Sequence, residues 1–238
     1  MATKLAVNEI FGPTLAGEGP SIGRPCSFLR MAACNLACVW CDSKYTWDWK
    51  NYDPKVEVHS MTTPEAYKAV KRVLQKTNPM LVISGGEPML QQDRLAELME
   101  MFHNDEDLDD LWIEIETAGT ISPELEFDYW VDAYNVSPKL EHSGNELSLR
   151  YRPQVLEDLR DTGKVQGWKF VAQEPSDLDE IAKLVKKHEL FPVYVMPEGK
   201  NQADLSRHSA GLVDAIIARG WRMTPRLHIQ LWGTERGR

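Results

Sequence analysis

An α/β fold with a parallel sheet, curled into a partial, open barrel of about six strands, is the architecture this sequence predicts. Three observations predict it. Apolar runs of strand length alternate with stretches of helical period, which is the pattern of strand–helix–strand units. Polar, glycine- and proline-containing motifs follow one apolar run after another, where strand C-termini would open on a common face. The chain of 238 residues holds too few such units for an eight-fold barrel, so closure is not expected.

Taken in order, strands are expected at residues 26–31 (CSFLRM), 80–84 (MLVIS), 111–116 (LWIEIE), 133–137 (AYNVS), 168–172 (WKFVA), 193–196 (VYVM) and 226–231 (RLHIQL). Helices fall between them. The clearest begins at Thr63 as N-cap, with Pro64 in the first helical position and Glu65 in the first turn. Ala66, Val70, Val73, Leu74 and Thr77 continue it as an apolar stripe. Residues 91–103, 177–188 and 203–219 read the same way, and Gly220 is the expected stop of the last.

Composition narrows the function. Hydrophobic residues make up 42% and charged residues 26%, enough for a full core in one domain spanning 1–238. A net charge of −9 argues against a nucleic-acid surface, which needs a basic patch. No signal peptide and no membrane-length apolar run is present, which points to a cytoplasmic enzyme with a small-molecule substrate. The five acids between Asp105 and Asp110 read as a solvated loop. Four cysteines are too few for a disulfide scaffold in a chain this long. Cys26, apart from the others, reads as a buried strand residue.

Cys34, Cys38 and Cys41 lie in CNLACVWC with spacing C-x3-C-x2-C. Three thiolates from one short loop suit an iron–sulfur cube with one iron left without a protein ligand, whereas electron carriers close all four corners. An open metal position is where a substrate or cofactor binds. A zinc site completed by histidine, or three reduced core cysteines, are the alternatives. No histidine lies between Asp42 and Tyr52, and His59 is the nearest downstream, which weighs against zinc. SGGEP (Ser84, Gly85, Gly86, Glu87, Pro88) follows the second expected strand. Its glycines permit close backbone approach to a ligand, and Glu87 offers a carboxylate to an ammonium group. Beside an open cluster, that combination suits the amino and carboxylate ends of S-adenosylmethionine.

These residues resemble the radical S-adenosylmethionine superfamily, whose cluster motif is C-x3-C-x-aromatic-C, with Trp40 at the aromatic position that contacts the adenine. EIFGPTLAGEGPSIGRPCSFLRMAACNLACVWCDSKYTW at 9–47 is similar to the opening of 7-carboxy-7-deazaguanine synthases, and PRLHIQLWGTERGR at 225–238 resembles the ending of one branch. The likeness implies conversion of 6-carboxy-5,6,7,8-tetrahydropterin to 7-carboxy-7-deazaguanine and ammonia. It also implies a 4Fe–4S cluster, S-adenosylmethionine, Mg2+, a flavodoxin- or ferredoxin-type reductant and a homodimer. Another radical enzyme, such as a glycyl-radical activase, is the rival reading.

Carried over by that resemblance, Leu15, Ala16, Gly17 and Glu18 form the substrate loop, with Glu18 facing the pterin's polar edge. Arg30 pairs with the substrate carboxylate, for which a guanidinium fork is suited. Ser84 and His228 touch substrate, and Ser43 ligates Mg2+ through its hydroxyl, a hard-oxygen ligand. Cofactor contacts fall on Trp40, Asp42, Gly86, Glu87, Glu116, Ser137, Pro138, Lys139, Met196, Pro197, Glu198 and Gly199. From the residues alone, Ser43 reads equally as a helix cap, Glu116 and Lys139 as a mutual ion pair, and His228 as a core histidine. Two departures stand out: Ala16 replaces the usual glutamine, and the chain continues through GTERGR where some relatives end at the site.

Overall fold

A computed structural model describes residues 4–77 and 79–238. Among these residues nine strands form one sheet: β1 (Leu5–Leu15), β2 (Pro25–Met31), β3 (His59–Met61), β4 (Met80–Gly85), β5 (Trp112–Thr117), β6 (Ala133–Val136), β7 (Val165–Ala172), β8 (Val193–Pro197) and β9 (Arg222–Met223). Their order is β3-β1-β2-β4-β5-β6-β7-β8-β9, so the edges β3 and β9 do not pair and the sheet stays open. β2 and β4 to β9 run parallel, while β1 lies antiparallel to both β2 and β3. Long parallel strands with helical crossovers on one side are the expected architecture.

The side-chain period of two along each strand positions the site. Leu29, Ile83, Ile115, Val136, Phe170 and Val195 point to the helix layer and join one apolar core. Burial of each such side chain contributes about 1.5–3 kcal/mol. Alternate residues Arg30, Ser84, Glu116, Ser137, Lys169 and Met196 point the other way, into a cavity on the sheet's concave face. An apolar layer and a polar site are thus two faces of the same strands. Cys26, buried in β2, follows the expectation.

Several elements differ from expectation. Residues 226–231 are not a strand but lie largely in a helix, Leu227–Trp232. The strand beside β8 is instead β9, paired through Tyr194–Arg222 and Val195–Met223. Pro225, which has no N–H to donate, ends that ladder before the expected segment begins. β1 and β3 were not anticipated; β1 has a bulged register against β2, which blurs its alternation. Short helices Leu125–Trp130, Leu147–Arg150 and Pro153–Asp161 were also not foreseen.

The helix expected from Thr63 has Thr62 as its N-cap and runs Thr63–Val73. Thr62 and Glu65 form a reciprocal capping box, Thr62 N–H donating to Glu65 Oε2 at 2.8 Å. Leu74 and Thr77 therefore lie past its end. Gln92–His103, Pro175–His188 and Gln202–Ala218 match expectation within two residues at each end. Gly220, at φ +65°, follows the last of these as the expected stop. The acidic run is partly anchored, because Lys71 pairs with Asp105 at 2.5 Å and Leu108 is buried. Among the described residues no helix is long and apolar enough to cross a membrane.

Candidate functional site

A cavity of about 320 Å³ opens at the C-terminal ends of the parallel strands. Nearly all the sequence-expected residues line it: Leu15, Ala16, Gly17, Glu18, Arg30, Trp40, Asp42, Ser43, Ser84, Gly86, Glu116, Ser137, Lys139, Met196, Glu198, His228 and the three cysteines. Glu87, Pro138, Pro197 and Gly199 do not line it.

Cys34, Cys38 and Cys41 sit on the loop after β2, where Leu36, Cys38 and Ala118 form a small apolar patch with Cys34, Trp40 and Cys41 against it. All are free thiols. Burial pushes the Cys34 thiol up to about 12, so a bound metal must take the proton's place for the sulfur to become a thiolate. A single tetrahedral ion at 2.3 Å from each sulfur needs them about 3.8 Å apart. Among the described residues the group with ligand atoms within 4.8 Å of one another is Glu18, Asp42 and His228, not the thiols. Three sulfurs not gathered within 4.8 Å suit a polynuclear iron–sulfur cluster better than one zinc ion.

The glycines of SGGEP serve the chain itself. A Cβ on Gly86 would stand 1.9 Å from the Ala33 carbonyl oxygen, and one on Gly85 2.2 Å from that of Met31. Gly86 N–H donates to Met31 O at 3.0 Å and Glu87 N–H to Ala33 O at 2.9 Å. The end of β4 is thereby stitched to the start of the cysteine loop. Glu87 does not offer its carboxylate to the cavity. It is fully buried and accepts from Thr117 Oγ1 and Ala118 N, each at 2.8 Å. Desolvation raises its pKa, opposed by those donors. Glu87 thus joins the turn after β4 to the turn after β5.

Glu18 is the hub of a buried charge network. Lys169 Nζ donates to Glu18 Oε2 at 2.6 Å and Arg226 Nε to Glu18 Oε1 at 3.0 Å. Burial alone would raise the Glu18 pKa, yet the Lys169 and Arg226 charges outweigh it and hold the carboxyl far below the usual range. Arg226 also donates to Asp42 and, at 2.7 Å, to Gly199 O. A single guanidinium therefore ties four separate segments together. It also occupies the centre of the Glu18–Asp42–His228 group, where a metal ion would have to displace a fixed cation. His228 lies 3.8 Å from Glu18, and burial lowers its pKa, favouring neutral imidazole. Gly17 makes room for it, since a Cβ there would lie 2.2 Å from His228 Nδ1.

Arg30 donates through Nε to Glu9 at 2.8 Å and lies over Phe11 and Phe28, with the guanidinium on the cavity wall. Ser84 Oγ is buried and has no hydrogen-bond partner among the described residues. Glu116 faces Lys169 at 3.6 Å rather than Lys139, so the mutual ion pair does not form. Lys139 instead donates to Ser137 Oγ at 2.9 Å and lies 5.8 Å over Trp40. Ser43 precedes a short 3-10 turn without capping it, and its hydroxyl lies 3.6 Å from Cys41 Sγ. The tail GTERGR lines the cavity mouth, with Arg236 stacked 3.8 Å over Tyr45 and bonded to Glu57 at 2.9 Å.

Lys169, Arg226, Glu114 and Asn135 also line the cavity and were missed. The signal for Lys169 was a lone charge in the apolar run WKFVA; buried lysines are rare unless paired. Arg226 had none, because its segment was misread as a strand.

A family model described as a 4Fe-4S single cluster domain matches residues 15–136. A 7-carboxy-7-deazaguanine synthase of Pyrobaculum aerophilum is 32% identical over 242 residues, covering 99% of this chain and 98% of that protein. One from Bacillus subtilis is 28% identical over 257 residues, with both chains fully covered. In structure, QueE from Escherichia coli superposes with a TM-score of 0.67 at 22% identity, covering 94% of this chain and 95% of that one. SuiB of Streptococcus suis, solved bound to S-adenosylmethionine, gives a TM-score of 0.54 at 15% identity over 81% of this chain and 48% of its own.

Proposed function

Because this chain belongs to the 7-carboxy-7-deazaguanine synthase family, we propose that its cavity converts 6-carboxy-5,6,7,8-tetrahydropterin to 7-carboxy-7-deazaguanine with loss of ammonia. It is a radical S-adenosylmethionine lyase with a 4Fe–4S cluster. The cluster and S-adenosylmethionine, when bound, supply one-electron chemistry and hydrogen-atom abstraction. Cys34, Cys38 and Cys41 would hold the cluster. The observation that carries the substrate reading is Arg30. It lines the same cavity as the three cysteines, and Glu9 takes only its Nε, leaving the rest of the fork for a carboxylate.

The chain's own contribution is to bind, orient and exclude water. Trp40 would offer its ring to the adenine of the cofactor, and Lys139, over that ring, would offer its ammonium to the cofactor's carboxylate. Gly86, Glu116, Ser137, Pro138 and the Met196, Pro197, Glu198, Gly199 turn complete that side. Glu87 acts from behind by fixing the turns. Leu15, Ala16, Gly17, Ser84 and His228 bound the pterin. Glu18 stays ionised beside Lys169 and Arg226, so it accepts and does not donate. Ser43, beside Cys41, would offer its hydroxyl to Mg2+, while Asp42, held by Arg226, would stand on the cofactor side. A single domain, a homodimer, a cytoplasmic setting and a flavodoxin- or ferredoxin-type reductant complete the reading.

Anaerobic reconstitution with iron, sulfide, dithionite, S-adenosylmethionine and the carboxy-tetrahydropterin tests it. Mass spectrometry is expected to show the deazaguanine acid, with Arg30→Ala abolishing turnover. A fully loaded cluster giving no product from this pterin rejects the substrate.

A further inference from the structure

The segment just after β6 grips the cysteine loop at four consecutive residues. Ala37 N–H donates to Asn145 Oδ1 at 2.8 Å, and Asn145 Nδ2 donates to Cys38 Sγ at 3.2 Å. Val39 N–H donates to Ser143 O at 3.0 Å, and Trp40 Nε1–H to His142 Nδ1 at 3.0 Å. Gly144, at φ +77°, lets the segment close over Val39, whose Cγ1 would lie 2.8 Å from a Cβ there.

The Asn145 orientation is settled by its neighbours. An amide nitrogen has no lone pair to accept the Ala37 N–H, so the oxygen must face Ala37. The –NH2 group is then committed to Cys38, and it is also held by Ser143 Oγ at 3.1 Å. Once iron is bound, the Cys38 sulfur is a thiolate ligand carrying part of the cluster's negative charge. Adding an electron increases that charge, and a fixed N–H donor stabilises the reduced form.

We infer that Asn145 is a positioning residue that raises the reduction potential of the iron–sulfur cluster by donating to the Cys38 thiolate. Asparagine suits both roles, since its oxygen locks the loop backbone while its nitrogen tunes the sulfur. Trp47 Nε1–H, 3.4 Å from Cys41 Sγ, is a weaker donor of the same kind.

The test is a redox titration of the reconstituted cluster followed by EPR, without pterin, so its outcome is independent of the substrate reading. Asn145→Leu removes the donor. Asn145→Asp keeps an acceptor for Ala37 N–H but turns an oxygen toward the sulfur. Both midpoints are expected below wild type, with Asp the lower. A fully loaded variant of either kind with the wild-type midpoint overturns the inference, since a purely structural residue would change iron content alone. If both variants lose the cluster, pulsed EPR decides, on Asn35→Ala protein carrying 15N in its asparagine side chains. That background removes the asparagine that lies within the cysteine loop itself. A nitrogen coupling to the reduced cluster upholds the assignment, and its absence refutes it.

Discussion

Lys169 and Glu18, 151 residues apart in sequence, meet at 2.6 Å inside the sheet's concave face. The contact fastens the loop after β1 to the middle of β7, and with Arg226 it binds the two ends of the chain across the cavity. The lysine side chain is only 7% exposed, so its charge depends on this pairing.

Lys169→Met therefore leaves Glu18 partly unpaired. We expect a loss of about 3 kcal/mol in unfolding free energy, at the low end for a broken buried pair because Arg226 remains. Urea titration measures it. Adding Glu18→Leu is expected to restore most of the loss, and a double variant as unstable as the single would contradict the pairing argument.

Glu114 predicts a pH effect. Burial, with help from the Glu116 charge, pushes its carboxyl up to about 7, against the Ser21 hydrogen bond and Lys169. The folded state thus binds its proton more tightly than the unfolded chain does. This contribution is fully present below the ordinary carboxyl pKa and is lost as pH rises toward 7, at about 1.4 kcal/mol per unit. Glu114→Gln is expected to flatten stability between pH 5 and 7. An unchanged slope in chemical denaturation would remove Glu114 as its source.

Gly86→Ala places a methyl group against the Ala33 carbonyl, next to Cys34. Backbone cannot yield as a flexible side chain does. We expect the cysteine loop to shift and iron content after reconstitution to fall severalfold while far-UV circular dichroism is retained. Full iron loading would show that the approach is not needed.

Gly17→Ala clashes with a side chain instead, His228. The single variant is expected to lose about 1–3 kcal/mol through overpacking. Removing the ring in Gly17→Ala/His228→Ala should return much of it. Thermal unfolding of the two variants settles whether the histidine is the obstacle.

The cysteine spacing, the parallel α/β class and most of the cavity wall were readable because they rest on local rules. Strand period two and motif placement after strands put Arg30, Ser84, Glu116, Ser137 and Met196 on one face without further information. The residues 226–231 misled because an apolar pattern of that length suits strand or helix. The choice was made by β9 taking the edge of β8 and by Pro225. Glu87 was assigned to a ligand, but its carboxylate accepts from Thr117 and Ala118, which only packing brings near. The glycines beside it also hold the turn against Met31 and Ala33, while Gly86 keeps its place on the cavity wall.

From the sequence alone, then, came the three-cysteine loop, the strand alternation and the identity of the polar rim, since each depends on residues close together in the chain. Folding decided which polar groups meet: Glu18 with Lys169 and Arg226, Glu116 with Lys169 rather than Lys139, and Asn145 against Cys38. Those pairings span tens to hundreds of residues. Their partners are chosen by sheet order and loop closure, which no local spacing encodes.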